Sequence, residues 1–143
     1  MEFNALVPEL TLSNVEKSLE FYQLLGFRVE YHRLKRGFVF LSRERAQLML
    51  EQFQPRGWNV AELKRPFGRG INFQIQVSNI EPLLEALNTV NHPLYRLKQE
   101  RWRRVGAEEV AEVEFLVQDP DGYLLRFSQY LGKRPFGEPH AQS

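Results

Sequence analysis

Cysteine is absent from all 143 residues, so disulfides, cysteine-ligated zinc and thiol nucleophiles are excluded. A surplus of one charge is missing too: 19 basic residues face 18 acidic ones, leaving a formal net charge of +1. That balance removes the bulk electrostatic case for nucleic acid. No apolar run approaches the ~20 residues that a membrane-spanning helix needs. The N-terminus lacks the basic, apolar and small-residue order of a secretory signal. A cytoplasmic protein with neither a nucleic-acid nor a membrane partner is therefore expected. Histidine is scarce as well, at three. His32, His92 and His140 fall near a strand end, in a loop and in the tail, which suits surface or turn roles better than shared metal ligation.

What is present is a repeat with a shift of 65 residues, from Leu10 to Ile75. Leu10-Thr11-Leu12-Ser13-Asn14-Val15-Glu16 realigns on Ile75-Gln76-Val77-Ser78-Asn79-Ile80-Glu81, and Leu19-Glu20 on Leu84-Glu85. Each copy reads as a strand running into a helix. Ser13 with Glu16, and Ser78 with Glu81, have the spacing of capping boxes. Val15, Leu19, Tyr22 and Leu25 form the buried stripe of the first helix, which stops at Gly26. Pro82 falls in the first turn of the second helix, where a missing N–H is tolerated.

The remainder reads as strands over 27–34, 37–42, 46–53, 94–98, 110–117 and 123–130. Asp119-Pro120-Asp121-Gly122 is a turn with no catalytic role assigned. The pattern predicts one α+β domain over 1–143, built of two βαβββ modules at 5–53 and 70–130. A linker at 54–69 joins them, 99–109 is a second long loop, and 131–143 is an irregular tail. The basic cluster Arg96, Lys98, Arg101, Arg103 and Arg104 is expected to lie in a solvated loop.

Period-two alternation separates the faces of each strand. Leu48 and Leu50, Ile75 and Val77, and Leu125 and Phe127 belong to uniformly apolar faces that must bury against the helices. The opposite, mixed faces are left to line a groove. They carry Glu9, Met49, Glu51, Phe53, Asn72 and Arg126, joined by Phe38, Phe40, Glu112 and Glu114. An apolar groove with a few polar anchors is the usual character of a ligand site. Trp58 and Trp102 lie in the two long loops, where binding residues are often carried; they either stack on a ligand or, in the paired barrels and dimer that the resemblance described below implies, plug a barrel end or the dimer seam. Glu51 either anchors a cation or is solvated or paired with Arg126. Asn72 is a hydrogen-bonding residue of the groove.

Three segments carry a resemblance to a known family: Leu12 to Tyr22 with Leu25-Gly26-Phe27, then Gln47-Leu48-Met49-Leu50-Glu51, and Asp119 to Phe127. Through them, residues 5–131 resemble the vicinal-oxygen-chelate superfamily of glyoxalase I, dioxygenases and bleomycin-resistance proteins. The resemblance implies paired modules forming incomplete barrels, usually in a homodimer. Its enzymes hold a divalent metal with His, Glu or Gln from four equivalent strands. Here those positions fall at Val7, at Met49 (or Glu51 with a slip of two), at Asn72 and at Arg126. Valine cannot ligate, a thioether is too soft for such metals, and arginine is a permanent cation. No metal, cofactor or catalytic residue is therefore expected.

The Leu-Met-Leu-Glu run and the Asp-Pro-Asp-Gly ending with Leu124-Leu125-Arg126 are similar to the bleomycin-resistance branch. That branch implies a dimer that sequesters a cationic, aromatic drug without chemistry. The expected ligand site is Phe38, Phe40, Met49, Glu51, Phe53, Trp58, Asn72, Trp102 and Arg126. The alternatives are a divergent metal-dependent lyase or dioxygenase, with Glu51 in a degenerate site, or a binding module for an unrelated ligand.

Overall fold

In the computed structural model of the chain, which describes residues 1–137, each half runs strand, helix and then three strands. The first module holds β1 (Glu9–Leu12), α1 (Val15–Leu24), β2 (Arg28–Arg33), β3 (Phe38–Arg43) and β4 (Ala46–Gln52). The second holds β5 (Asn72–Gln76), α2 (Glu81–Thr89), β6 (Arg96–Val105), β7 (Glu108–Gln118) and β8 (Leu124–Pro135). The sheet orders are equivalent, β1-β4-β3-β2 and β5-β8-β7-β6, with the first pair parallel in each. This is the α+β fold of two βαβββ modules that the repeat predicts. The linker 54–69 contains no regular element.

The caps differ from the expected pattern. Asn14, not Ser13, caps α1, its side-chain oxygen accepting from the Lys17 N–H at 3.0 Å. Ser13 is diverted to Asp121, donating through both its N–H and its hydroxyl. At α2 the Ser78 N–H donates to the Glu44 carboxylate, Ile80 takes the cap position with no side-chain bond of its own, and the Asn79 side-chain oxygen accepts from the Glu81 N–H at 3.0 Å. The end of α1 is as expected: Gly26 takes φ +89°, and the N–H groups of Gly26 and Phe27 return to the carbonyls of Gln23 and Tyr22. That closes the helix through a left-handed glycine.

The loop expected at 99–109 is instead most of a hairpin, β6 and β7, joined by a tight turn at Gly106 and Ala107. Strand β6 hides from pattern reading because all ten of its residues are exposed, so it shows no alternation. Its cross-strand ion pairs, Arg101 with Glu114 and Arg103 with Glu112, place the basic cluster on a strand and not in a loop. Strand β8 likewise runs on through Leu131 to Pro135, where an irregular tail is expected. His140, Pro139 and the rest of that tail lie outside the described residues.

One core serves both modules. Leu12, Tyr22, Leu41 and Leu50 of the first module share a buried cluster with Ile80, Leu83, Phe115, Leu125 and Phe127 of the second. Each such side chain contributes about 1.5–3 kcal/mol on burial. Polar contacts clasp the same seam. The Tyr22 hydroxyl donates to Asp119 Oδ2 at 2.7 Å, and the Tyr123 hydroxyl donates to the Thr11 carbonyl at 2.9 Å. Arg65 donates to Asp121 Oδ1 at 2.9 Å and to the Pro120 carbonyl at 2.6 Å. The second module's turn is thereby fixed against the start of α1. Both sheets turn one face to this core and leave the other away from it.

Candidate functional site

Register decides what shares the free face of the first sheet. Glu9 lies opposite Met49 and Thr11 opposite Glu51 across the parallel pair, while Phe38 faces Glu51 and Phe40 faces Met49 across the antiparallel one. Directly opposed strand residues point to the same side. Glu9, Met49, Glu51, Phe38 and Phe40 therefore all lie away from the core, as alternation predicts.

Glu9, Glu51 and Phe38 line a cleft of about 510 Å3, with Trp58 of the linker as a further wall. Trp58 is 96% exposed, so its indole is held by almost nothing else. Glu9 and Glu51 are diagonal neighbours on this face, across β1 and β4. Burial pushes the Glu9 carboxyl above the usual carboxylate range, and the hydrogen bond with Glu51 and its charge push the same way; Arg36 opposes them. A like charge beside Glu9 strengthens its hold on a proton and favours a cation at the pair. Arg33, Lys35, Arg36 and Arg56 stand at the cleft as well. The Arg33 guanidinium carbon sits 5.5 Å from the Phe38 ring centre and 5.7 Å from that of Tyr31. These aromatic faces already carry a cation of the chain's own.

The free face of the second sheet is organised differently. Glu112 and Glu114 are buried there, at 4% and 7% exposure. Glu112 accepts from the Ser128 hydroxyl at 2.8 Å and pairs with Arg103 at 3.3 Å. Glu114 pairs with Arg101 at 2.8 Å, and with Arg126 at 3.9 Å. Arg126 also donates to Gln74 Oε1 at 2.6 Å. Ion pairs link the polar groups of this face, but the buried Glu112 Oε1, Glu114 Oε2 and Arg126 Nε have no hydrogen-bond partner.

The structure brings Phe38, Glu51 and Trp58 together, with Glu9 completing the cleft and Met49 beside it. Phe40 lies on the same sheet face but is only 1% exposed, covered by Tyr31 and Phe3. Phe53 stands past the end of β4 and lines a different hollow, about 500 Å3, with Leu63 and Phe67. Asn72 opens β5 on the second sheet, and Arg126 belongs to that sheet's ion network, so the expected alternative of a Glu51–Arg126 pair is replaced by Glu114 and Gln74. Trp102 is on β6, with the Arg134 guanidinium 3.8 Å from its ring centre. Tyr31 and Arg33 were missed by the strand pattern because a bulge between Val29 and Tyr31 breaks the alternation of β2.

The donor set at the four positions the resemblance assigns to a metal does not suit a divalent ion. Val7 offers no donor, Met49 a thioether, and Arg126 a guanidinium already tied to Gln74 and Glu114. Among the described residues no three His, Cys, Asp or Glu side chains are grouped to hold one. His92 places Nε2 on the Gln118 carbonyl, 2.7 Å away.

No protein-family model matches this chain, and no curated protein does. Solved structures do. A glyoxalase/bleomycin resistance protein/dioxygenase superfamily member from Vibrio splendidus 12B01 is 32% identical, over 86% of this chain and 95% of its own, with a TM-score of 0.41. An integron cassette protein from the mobile metagenome of V. cholerae is 20% identical over 92% of this chain and 98% of its own, with a TM-score of 0.64. A glyoxalase/bleomycin resistance protein/dioxygenase from Alicyclobacillus acidocaldarius is 19% identical over 90% and 92%, with a TM-score of 0.61. The last two speak for the fold alone; family rests on sequence identity with the first. On that identity, this chain belongs to the glyoxalase/bleomycin resistance protein/dioxygenase superfamily.

Proposed function

We propose that the protein captures a small, aromatic, cationic compound in the Glu9–Glu51 cleft, stoichiometrically and without turnover, in the manner of the bleomycin-resistance branch. The homodimer and cytoplasmic setting expected from the sequence are part of this reading. One observation carries it: two carboxylates lie together on a floor walled by Phe38 and an almost free Trp58. An aromatic cation entering there is paired by charge and stacked by ring faces, each worth about 0.5–2 kcal/mol or more once water is excluded. Arg33 already lies over Phe38 and Tyr31, so an entering aromatic cation stacks on Trp58 and pairs with the two carboxylates. The donor set favours capture over metal-assisted chemistry.

Titration with proflavine, and with metal-free and copper-loaded bleomycin, followed by tryptophan fluorescence, tests the reading. Saturable binding at one ligand per cleft is expected. Glu51→Gln should weaken proflavine by about tenfold, the scale of a charge-assisted contact. Absence of binding by any of these compounds at high micromolar concentration overturns capture of this ligand class. Stoichiometric bound metal in purified protein, with metal-dependent turnover, overturns it in favour of the lyase or dioxygenase alternative.

A further inference from the structure

Phe40 is 1% exposed although it lies on the sheet face turned away from the core. Two rings cover it. Tyr31 stacks at 5.2 Å with an interplanar angle of 14°, and Phe3 meets it edge-on at 5.4 Å and 83°. Tyr31 also touches Phe38, 5.8 Å away, so one aromatic row runs from the cleft wall to Phe3. Phe38 and Phe40 are two residues apart on β3, a separation of roughly 7 Å.

Phe3 is a weakly held member of that row. It is 63% exposed, and Met1 and Leu6 beside it are 63% and 81% exposed. The segment lies across the sheet on three polar contacts. The Asn4 N–H donates to Gln47 Oε1 at 2.7 Å, the Asn4 amide donates to the Arg45 carbonyl at 2.8 Å, and the Gln47 amide donates to the Glu2 carbonyl at 2.7 Å. All three are solvent-exposed, so water replaces them at small net cost. A phenyl ring with most of its surface in water and one edge on a buried aromatic floor occupies a place that another ring would fill better.

We infer that Tyr31 and Phe40 form a second aromatic subsite of the cleft, and that Phe3 is its displaceable occupant in the free protein. The ligand class this adds is a cation carrying two linked aromatic groups, one held near Glu51 and the other exchanged for Phe3. The inference rests on the capture reading for its charged end and extends it along β3.

Two probes separate the subsite from the cleft: proflavine, a single fused ring system, and 4′,6-diamidino-2-phenylindole, a dication of two linked aromatic groups. Phe3→Ala should tighten the second probe by about 2-fold to 10-fold, the range of one aromatic pair contact, and leave proflavine unchanged. Ring-to-ring nuclear Overhauser contacts between Phe3 and Phe40 should be present in the free protein and vanish on saturation with the two-ring probe. Unchanged or weakened two-ring binding in Phe3→Ala, or Overhauser contacts that persist at saturation, overturns the subsite. Proflavine binding together with either result leaves the capture reading standing. Failure of both probes and of bleomycin on both proteins overturns capture and the subsite together.

Discussion

Asp119 accepts from the Tyr22 hydroxyl and from the N–H groups of Asp121 and Tyr123, contacts that favour its ionised form. Burial outweighs them and pushes the carboxyl up to about 6 from its ordinary 3.8, with the charge of Asp121 adding to the shift. A carboxyl whose folded value is raised binds its proton more tightly folded than unfolded. Its contribution to stability is therefore complete below the unfolded value near 3.8 and is lost as pH rises through about 6. The shift corresponds to roughly 3 kcal/mol between the two ends of that window. Asp119→Asn, which cannot titrate, should flatten this component, seen as the difference in urea midpoints between variant and wild type from pH 3.5 to 7. A constant difference across that range refutes the assignment. Glu9 gives the binding counterpart. Its carboxyl ionises later than an ordinary glutamate, so capture of proflavine should strengthen as pH rises past 4.5, less steeply in Glu9→Gln. These roles were only partly legible. Glu9 is on the mixed face by simple alternation. Asp119 and Asp121 read as turn residues because their partners, Tyr22, Ser13 and Arg65, lie in the other module or the linker, beyond the reach of local pattern.

Among the elements, the turn before β8 is held tightly against the linker. Gly122 takes φ +100°, and a Cβ there would lie 2.6 Å from the Pro66 Cβ and 2.7 Å from its Cα. A conformation that side chains rarely adopt is combined with a clash against backbone. Gly122→Ala should cost about 3 kcal/mol, measured by chemical denaturation, and a loss within 0.5 kcal/mol would show that the linker yields. The turn itself was readable from Pro120 and Gly122, since its chemistry is local. The helices and inner strands were readable for the same reason, their periodicity being imposed by one buried face. The hairpin of β6 and β7 was not, because an edge strand exposed on both sides carries no such imprint. The capping boxes misled in a related way: Ser13 has the right spacing, but a buried carboxylate from the other module competes for its donors and wins.

For the whole molecule, the shared core makes one cooperative unit of two repeats. Calorimetric and van't Hoff enthalpies should agree in a single transition, and two resolved transitions would contradict a common core. The pair of clefts belongs to the proposed homodimer. Light scattering at micromolar concentration should return twice the chain mass, and a single chain mass would remove the dimer from the proposal. No helix among the described residues is long and apolar enough to cross a membrane. The two sheets, alike in topology, have taken opposite courses on their outward sides. One carries a partly satisfied guanidinium–carboxylate network, the other an open hollow. Duplicated halves of one topology thus present different chemistry on their outward sides. A new specificity could arise by altering Trp58 or Phe3, neither of which belongs to the buried cluster that holds the molecule together.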